Sequence, residues 1–339
     1  MKALYIRGVR DITIGDAPEP VPGNDRIAVE VAGVGVCGSD LHYYLEGSIG
    51  SQVIVEPFVP GHEFAARVLE ARPELGLAKG ELIAVDPAMP CGHCEWCHRG
   101  EINLCPDTVF NGAPPYPGAM AERMAIEPRQ VVKVPQHFTI EETMMLEPLG
   151  VAIHAIDLAR PRLLESVAVI GCGPIGLLMI ALARLAGVGQ ILAIDPVDYR
   201  RAHAGALGAD RVSADRHDIA AWTDGRGVDL VLEATNAPEG FQHAADVARI
   251  GGRIVLVGIP EGDSYTLAAG AARRKGLSVK FSRRMGHVYP RAIRLVAERR
   301  VDVARIVTHR FPLAEGARAF EIQAACADGA LKSLILPNA

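Results

Sequence analysis

The stretch Val167-Ala168-Val169-Ile170-Gly171-Cys172-Gly173-Pro174-Ile175-Gly176 decides the fold. Four apolar residues in a row read as a strand buried on both faces, and the glycines after them turn the chain into an apolar, helix-length segment from Ile175 to Ala186. Gly-x-Gly-x-x-Gly at a strand-to-helix turn is the dinucleotide-binding fingerprint. Gly171 makes the tight turn, Gly173 lets a pyrophosphate approach the backbone, and Gly176 lets helix and strand pack closely. The helix that Pro174 and Ile175 open then presents free N–H groups and a partial positive charge to the phosphates. A second apolar strand, Ile191-Leu192-Ala193-Ile194, ends at Asp195, nineteen positions after Gly176. A carboxylate there accepts hydrogen bonds from ribose hydroxyls and repels a 2′-phosphate, so NAD is favoured over NADP. Arg200 and Arg201 keep NADP open, and an ordinary turn aspartate is the alternative reading of Asp195. Further apolar strands, Asp229-Leu230-Val231-Leu232 and Arg253-Ile254-Val255-Leu256-Val257, alternate with helix-length segments. The pattern predicts an α/β domain of the Rossmann kind, a doubly wound parallel sheet covered on both faces.

Ser166 to Ala183 is also an uncharged run of 18 residues, the lower edge of a membrane-spanning helix. Gly171-Cys172-Gly173-Pro174 in its middle turns a chain rather than carrying one helix across a bilayer, so no membrane partner is expected. The N-terminal residues alternate like a strand and meet Arg7, Arg10 and Asp11 before a signal-peptide core could form, and the expected location is cytoplasmic. Lys+Arg is 35 against Asp+Glu 40, a net charge of −5 with no basic block, which speaks against a nucleic-acid partner.

The 339 residues suffice for roughly two domains of about 150 residues. From Met1 to about Pro135, short apolar runs such as Ile27-Ala28-Val29-Glu30-Val31 are broken by Gly, Pro and Asp, which predicts a β-rich, barrel-like domain. The residues from about Met285 onward are too few for a domain and are expected to return to the first. The expected division is 1–148 with 285–339 as one domain and 149–284 as the other.

Four of the seven cysteines follow one another as Cys91-x2-Cys94-x2-Cys97-x7-Cys105, with Gly92 and Gly100 letting the loop fold back. Four sulfurs with no spare position describe a closed, structural zinc site in a reducing compartment; His93 and His98 are bystanders. A nucleic-acid zinc ribbon and an iron–sulfur cluster are the rival readings. A second set is dispersed: Cys37, His62 with Glu63, and Glu147. One sulfur, one imidazole and one or two carboxylates suit a catalytic zinc with an open position. Each has a bland reading alone, Cys37 as a buried hydrophobe, His62 as a core histidine, the glutamates as surface charges.

In this order, the Cys37-Gly38-Ser39-Asp40 turn, Gly61-His62-Glu63, the four-cysteine lobe and the Gly-rich fingerprint resemble the zinc-dependent medium-chain alcohol dehydrogenases over essentially the whole chain. Leu41-His42-Tyr43-Tyr44, the segment from Glu147 to Ala155 and Val307-Thr308-His309-Arg310-Phe311-Pro312-Leu313 look like its polyol branch, the sorbitol, xylitol and idonate dehydrogenases. The resemblance implies a GroES-like catalytic domain beside the Rossmann domain, dimers or tetramers of the chain, NAD, and one catalytic and one structural zinc per subunit. By motif it makes Cys37 and His62 zinc ligands, Glu63 a ligand or close neighbour, and Glu147 a ligand directly or through water. Ser39 matches the hydroxyl that takes the substrate proton and His42 its exit. Tyr43, Ile49, Phe110 and Arg284 match the substrate pocket, with Met285 where the branch has a tyrosine. The segment from Arg283 to Ile293 is more similar to dehydrogenases of four-carbon polyols. The implied activity is oxidation of a polyol to a ketose. L-threonine 3-dehydrogenase, idonate 5-dehydrogenase, butanediol dehydrogenase, a zinc-free quinone or enone reductase and a non-catalytic NAD(H)-binding protein are the alternatives.

Overall fold

The computed structural model describes residues 1–21, 23 and 25–339. The chain forms two compact units, one of residues 1–147 and 289–339, the other of residues 148–288.

In the second unit six strands, all parallel, lie in the order Arg211–Ser213, Gln190–Ile194, Ser166–Ile170, Val228–Glu233, Ala248–Leu256, Ser278–Phe281. Numbered along the chain this is 3-2-1-4-5-6, the doubly wound order, whose ligand crevice opens at the carboxyl ends where the first and fourth strands part. The central strands are apolar on both faces because helices cover both. Val167, Ala168, Val169, Ile191, Leu192, Leu230, Val231 and Leu232 are all fully buried. The helix Pro174–Leu185 follows the first strand directly. Gly171, at φ +88°, makes the turn, and a Cβ there would stand 2.6 Å from the Ala234 carbonyl oxygen. A Cβ at Gly176 would stand 1.8 Å from the Gly171 carbonyl oxygen. A backbone carbonyl occupies the space at both positions, joined at Gly171 by the Thr235 side chain.

In the first unit a seven-stranded sheet runs Val131–Lys133, Leu82–Val85, Glu63–Val68, Ile27–Gly35, Lys332–Leu336, Val307–Pro312, with Arg123–Ile126 also paired to Ile27–Gly35. The Lys2–Gly8 strand pairs with Asp11–Asp16 in a hairpin whose Ala3, Leu4 and Ile6 are fully buried. The last strand, Lys332–Leu336, is antiparallel to Ile27–Gly35, placing Leu334 opposite Gly35. On its other side Glu63 stands opposite the same glycine. Strand ends more than 260 residues apart in sequence thus lie side by side. Among the described residues no helix is long and apolar enough to cross a membrane.

The two fingerprint glycines differ in what a methyl group would meet. Gly176→Ala should destabilise the fold by about 2 kcal/mol, an overpacking cost only partly offset by alanine's helix propensity. Gly173→Ala, with open space around the added Cβ, should cost under about 1 kcal/mol, the ordinary penalty at a helix N-cap. Urea denaturation of the two variants beside the parent measures both.

Candidate functional site

Cys37 follows the end of the Ile27–Gly35 strand and caps the helix Gly38–Glu46. The Asp40 carboxylate holds this turn: its Oδ2 accepts from the Cys37 N–H at 2.9 Å and its Oδ1 from the Gly61 N–H at 3.2 Å. Two loops from different strands are therefore tied to one buried carboxyl. His62 and Glu63 follow Gly61 directly, and Cys37, His62 and Glu63 bring a sulfur, a ring nitrogen and a carboxylate oxygen within 4.8 Å of one another. His62 is 6% exposed, and its Nδ1 is buried with no hydrogen-bond partner, 3.8 Å from Asp40 Oδ1. An orphaned imidazole nitrogen beside a carboxylate fits a histidine whose other nitrogen is meant for a metal, the carboxylate setting its orientation.

Charge balance at this cluster comes from Lys332. Its Nζ donates to Glu63 Oε1 at 2.9 Å, to Glu63 Oε2 at 2.7 Å and to the Val36 carbonyl at 2.9 Å, all buried. Burial works against the ammonium, yet Glu63, the Cys37 side chain and Asp40 hold its pKa above the ordinary lysine value. Burial, then the nearby Glu63 carboxylate, pushes the Cys37 thiol far up. A cation bound by the three donors would reverse that push, since a coordinating thiol is deprotonated. Glu147, in the first turn of the helix Leu146–Ala159, lies outside the three-donor cluster. Burial and the Glu63 charge raise it to about 7 against the pull of His62 and Lys332.

Around the cluster, the Gly38–Glu46 helix carries Ser39, half-buried in its first turn, and His42, whose Nδ1 lies 2.5 Å from Glu46 Oε1. Tyr43 on the same helix is buried in the core, edge-on to Phe58 with ring centroids 5.2 Å apart, and its hydroxyl donates to Gln52 Oε1 at 3.3 Å. Ile49 packs on that core, and the Phe110 ring lies 5.3 Å from the His62 ring. Arg284 belongs to the other unit, in the loop after Ser278–Phe281, with its backbone at φ +52°. Met285 beside it is buried, and a Cβ at Gly150 would meet its sulfur at 2.3 Å.

The sulfurs of Cys91, Cys94, Cys97 and Cys105 also lie within 4.8 Å of one another, those of Cys91 and Cys97 at 4.0 Å. A tetrahedron with Zn–S bonds of about 2.3 Å has S···S edges of about 3.8 Å, so the four fit one ion with no position to spare. Gly92 at φ +81° and Gly100 at φ +77° let the loop fold back. The His93 ring turns instead to the Cys91 carbonyl, Nδ1 to oxygen 3.0 Å. Burial opposes ionisation of Cys105, but the Cys91 N–H, donating to its sulfur at 3.3 Å, and the Thr108 hydroxyl bring it down to about 6.

In the second unit Gly173 caps the helix Pro174–Leu185 with no side chain bonded to its first turn, and nothing lies within 4 Å of where a Gly173 Cβ would be. The helix end, opened by Pro174, thus leaves the Ile175 and Gly176 N–H groups as an open cradle of donors, suited to a pyrophosphate. Asp195 is buried at the crevice: Oδ2 accepts from the Cys172 N–H at 2.7 Å and Oδ1 from the Val197 N–H at 2.8 Å. Arg200 Nη1 stands 3.9 Å from Oδ2. The aspartate therefore clamps the glycine turn.

Comparison with known proteins agrees with this geometry. Residues 23–136 match the alcohol dehydrogenase GroES-like domain and residues 174–298 the zinc-binding dehydrogenase domain. Sorbitol dehydrogenase of Bacillus subtilis is 32% identical over 100% of this chain and 98% of its own. The chain belongs to the zinc-dependent medium-chain alcohol dehydrogenases, in their polyol branch. D-xylulose reductase A of Aspergillus niger is 32% identical over 94% of this chain and 92% of its own. The structure of L-idonate 5-dehydrogenase from Escherichia coli superimposes with a TM-score of 0.87 at 26% identity, covering 99% of this chain and 97% of that one.

In this dehydrogenase the four-cysteine lobe is a structural zinc site. Two residues at the donor cluster escape sequence reasoning. Asp40 was visible only as part of a turn motif, although its place three residues after Cys37 is a capping position. Lys332, 269 residues from Glu63, carried no local signal. Metal analysis of the purified enzyme should give two zinc ions per chain. Cys97→Ser should lower that to one and reduce the thermal midpoint, because the lobe loses its staple.

Proposed function

We propose that the enzyme oxidises a secondary alcohol on a vicinal diol, in a polyol of about four to six carbons, to the ketose, with NAD as the hydride acceptor. The convergence of Cys37, His62 and Glu63 within 4.8 Å, with the Nδ1 of His62 orphaned, carries this reading. Those three residues would hold the catalytic zinc, and Glu147 would join them directly or through a water. When bound, zinc supplies Lewis acidity that lowers an alcohol's pKa, and NAD supplies the carbon that receives hydride. Asp40 keeps the His62 ring oriented, and Lys332 holds Glu63 in place. Ser39 takes the alcohol proton, and His42, one helical turn further on, passes it outward. Tyr43, Ile49 and Phe110 shape the substrate site and exclude water from it.

Gly171, Gly173, Pro174, Ile175 and Gly176 cradle the pyrophosphate, and Asp195 receives the ribose hydroxyls. NAD is preferred because the buried Asp195 carboxylate would meet a 2′-phosphate as a like charge; Arg200 beside it supplies the contact through which NADP would bind more weakly. A cytoplasmic location, supported by the clustered free cysteines, and a homodimer or homotetramer, supported by the family resemblance, are part of this reading.

Arg283 and Arg284, adjacent in the loop after Ser278–Phe281, support a second reading in which the polyol ends in a carboxylate, since guanidinium groups bind that anion well. The L-idonate 5-dehydrogenase whose fold this chain shares is named for such a substrate.

Initial rates of NAD reduction across four- to six-carbon polyols and aldonates should show turnover on the neutral polyols, with aldonate preference supporting the second reading. Cys37→Ser should lower kcat by more than about 100-fold, beyond what loss of a residue behind the ligands costs, while NADH binding stays within about twofold. Wild-type turnover by a Cys37→Ser protein shown to lack the catalytic zinc would refute the metal mechanism.

A further inference from the structure

Glu233 ends the fourth strand of the parallel sheet, in register with Ile170 on one side and Leu256 on the other. It is fully buried, yet it is an acid in the middle of an apolar sheet. One carboxyl oxygen, Oε1, accepts from the Thr235 N–H at 2.8 Å and from the Thr235 hydroxyl. The other, Oε2, is buried without a hydrogen bond. Burial raises the carboxyl above its ordinary range against the pull of the Thr235 hydroxyl and amide. A leucine would fill this space at lower cost, since a buried polar atom without a partner is unfavourable by about 1–3 kcal/mol. The residue therefore needs a reason other than packing.

Its surroundings supply one. The carboxyl sits in a slot that glycines keep open: a Cβ at Gly240 would lie 2.6 Å from Oε1, and one at Gly258 would lie 2.9 Å from Oε2 and 1.9 Å from the Thr235 carbonyl oxygen. Thr235, which the carboxyl holds, stands against the fingerprint, its Cγ2 2.8 Å from where a Gly171 Cβ would be. The Glu233 carbonyl accepts from the Val257 N–H at 2.8 Å and the Gly258 N–H at 3.2 Å, and the Tyr265 hydroxyl donates to the Gly258 carbonyl at 2.7 Å. Beyond them the two loops are laced together by the Glu261 N–H donating to the Asn236 carbonyl at 2.8 Å. The carboxyl thus holds Thr235, which packs against residue 171, while the main-chain carbonyl of Glu233 holds the 257–258 backbone segment.

These segments lie on the far side of the crevice from Asp195. In a doubly wound sheet of this order the two halves each bind one nucleotide of the dinucleotide. Asp195, on the second strand, serves the adenosine half, which leaves the ends of the fourth and fifth strands to the nicotinamide half. We infer that Glu233 is a positioning residue for the nicotinamide nucleotide: through Thr235 its carboxyl sets the bed on which that half of the cofactor lies, without touching it. The inference rests on the reading of the Gly173 cradle as a dinucleotide site.

The test compares the zinc-loaded, full-length wild type with Glu233→Leu, Glu233→Gln and Thr235→Val. NADH binding and binding of ADP-ribose, which lacks nicotinamide, are both measured by titration calorimetry. Glu233→Leu should weaken NADH about tenfold and leave ADP-ribose within about twofold. Glu233→Gln, which keeps an acceptor for Thr235, should restore most of the NADH affinity. Thr235→Val should move NADH in the same direction as Glu233→Leu and by less, and its smaller change in shape keeps the test open if the leucine variant fails to fold. Equal weakening of NADH and ADP-ribose, or no weakening of either, would overturn the inference. A wild type that binds neither ligand would instead overturn the dinucleotide reading beneath it.

Discussion

The ion pair between Lys332 and Glu63 is the interaction around which the donor cluster is arranged. One ammonium group reaches both oxygens of Glu63 and the carbonyl of Val36, the residue before Cys37. It therefore fixes the Glu63 carboxylate and the backbone that delivers the Cys37 sulfur at the same time. A buried pair of this kind is a weak source of stability in itself, but loss of one partner strands a charge at a cost of about 3–5 kcal/mol. That asymmetry commits the last strand to its place beside Ile27–Gly35. It also explains the glycine at the junction, since a Cβ at Gly35 would stand 2.5 Å from Glu63 Oε2. An ion pair, a missing side chain and a strand register thus depend on one another.

The nucleotide-binding unit reaches the same end by a different route. Its crevice is organised by close backbone approach, with Gly171, Gly176 and Gly258 each standing where a methyl group would strike a carbonyl oxygen. Carboxylates then pin the loops that the glycines allow, Asp195 on the Cys172 and Val197 amides and Glu233 on Thr235. In both units buried acids act as hydrogen-bond anchors for turns that carry no regular secondary structure, which is where backbone N–H groups otherwise lack partners.

Legibility in the sequence followed distance along the chain. The four lobe cysteines fall within fifteen residues, so spacing alone joins them, and the structure brings their sulfurs together. The fingerprint is equally local, a strand, a turn and a helix within twenty residues, and its periodicity survives any tertiary context. Cys37, His62 and Glu63 were grouped by donor type and by resemblance, not by spacing, because nothing in the residues between them says that Gly61 and Cys37 share the Asp40 carboxylate. Tyr43 shows the opposite limit. Its motif suggests a substrate contact, but no motif says that the ring also packs edge-on to Phe58 or that the hydroxyl donates to Gln52.

The amino-acid sequence by itself determined the parallel sheet, the glycine turn and the four-sulfur lobe, because each is specified by side chains that are near neighbours and by backbone conformations that only certain residues adopt. Only the tertiary structure decided that Lys332 would meet Glu63, that Asp40 would tie Cys37 to Gly61, and that Glu233 would stand behind the fingerprint. Those meetings come from strand order and register, which arise from the packing of the whole sheet, and no stretch of residues short enough to be read as a motif contains them.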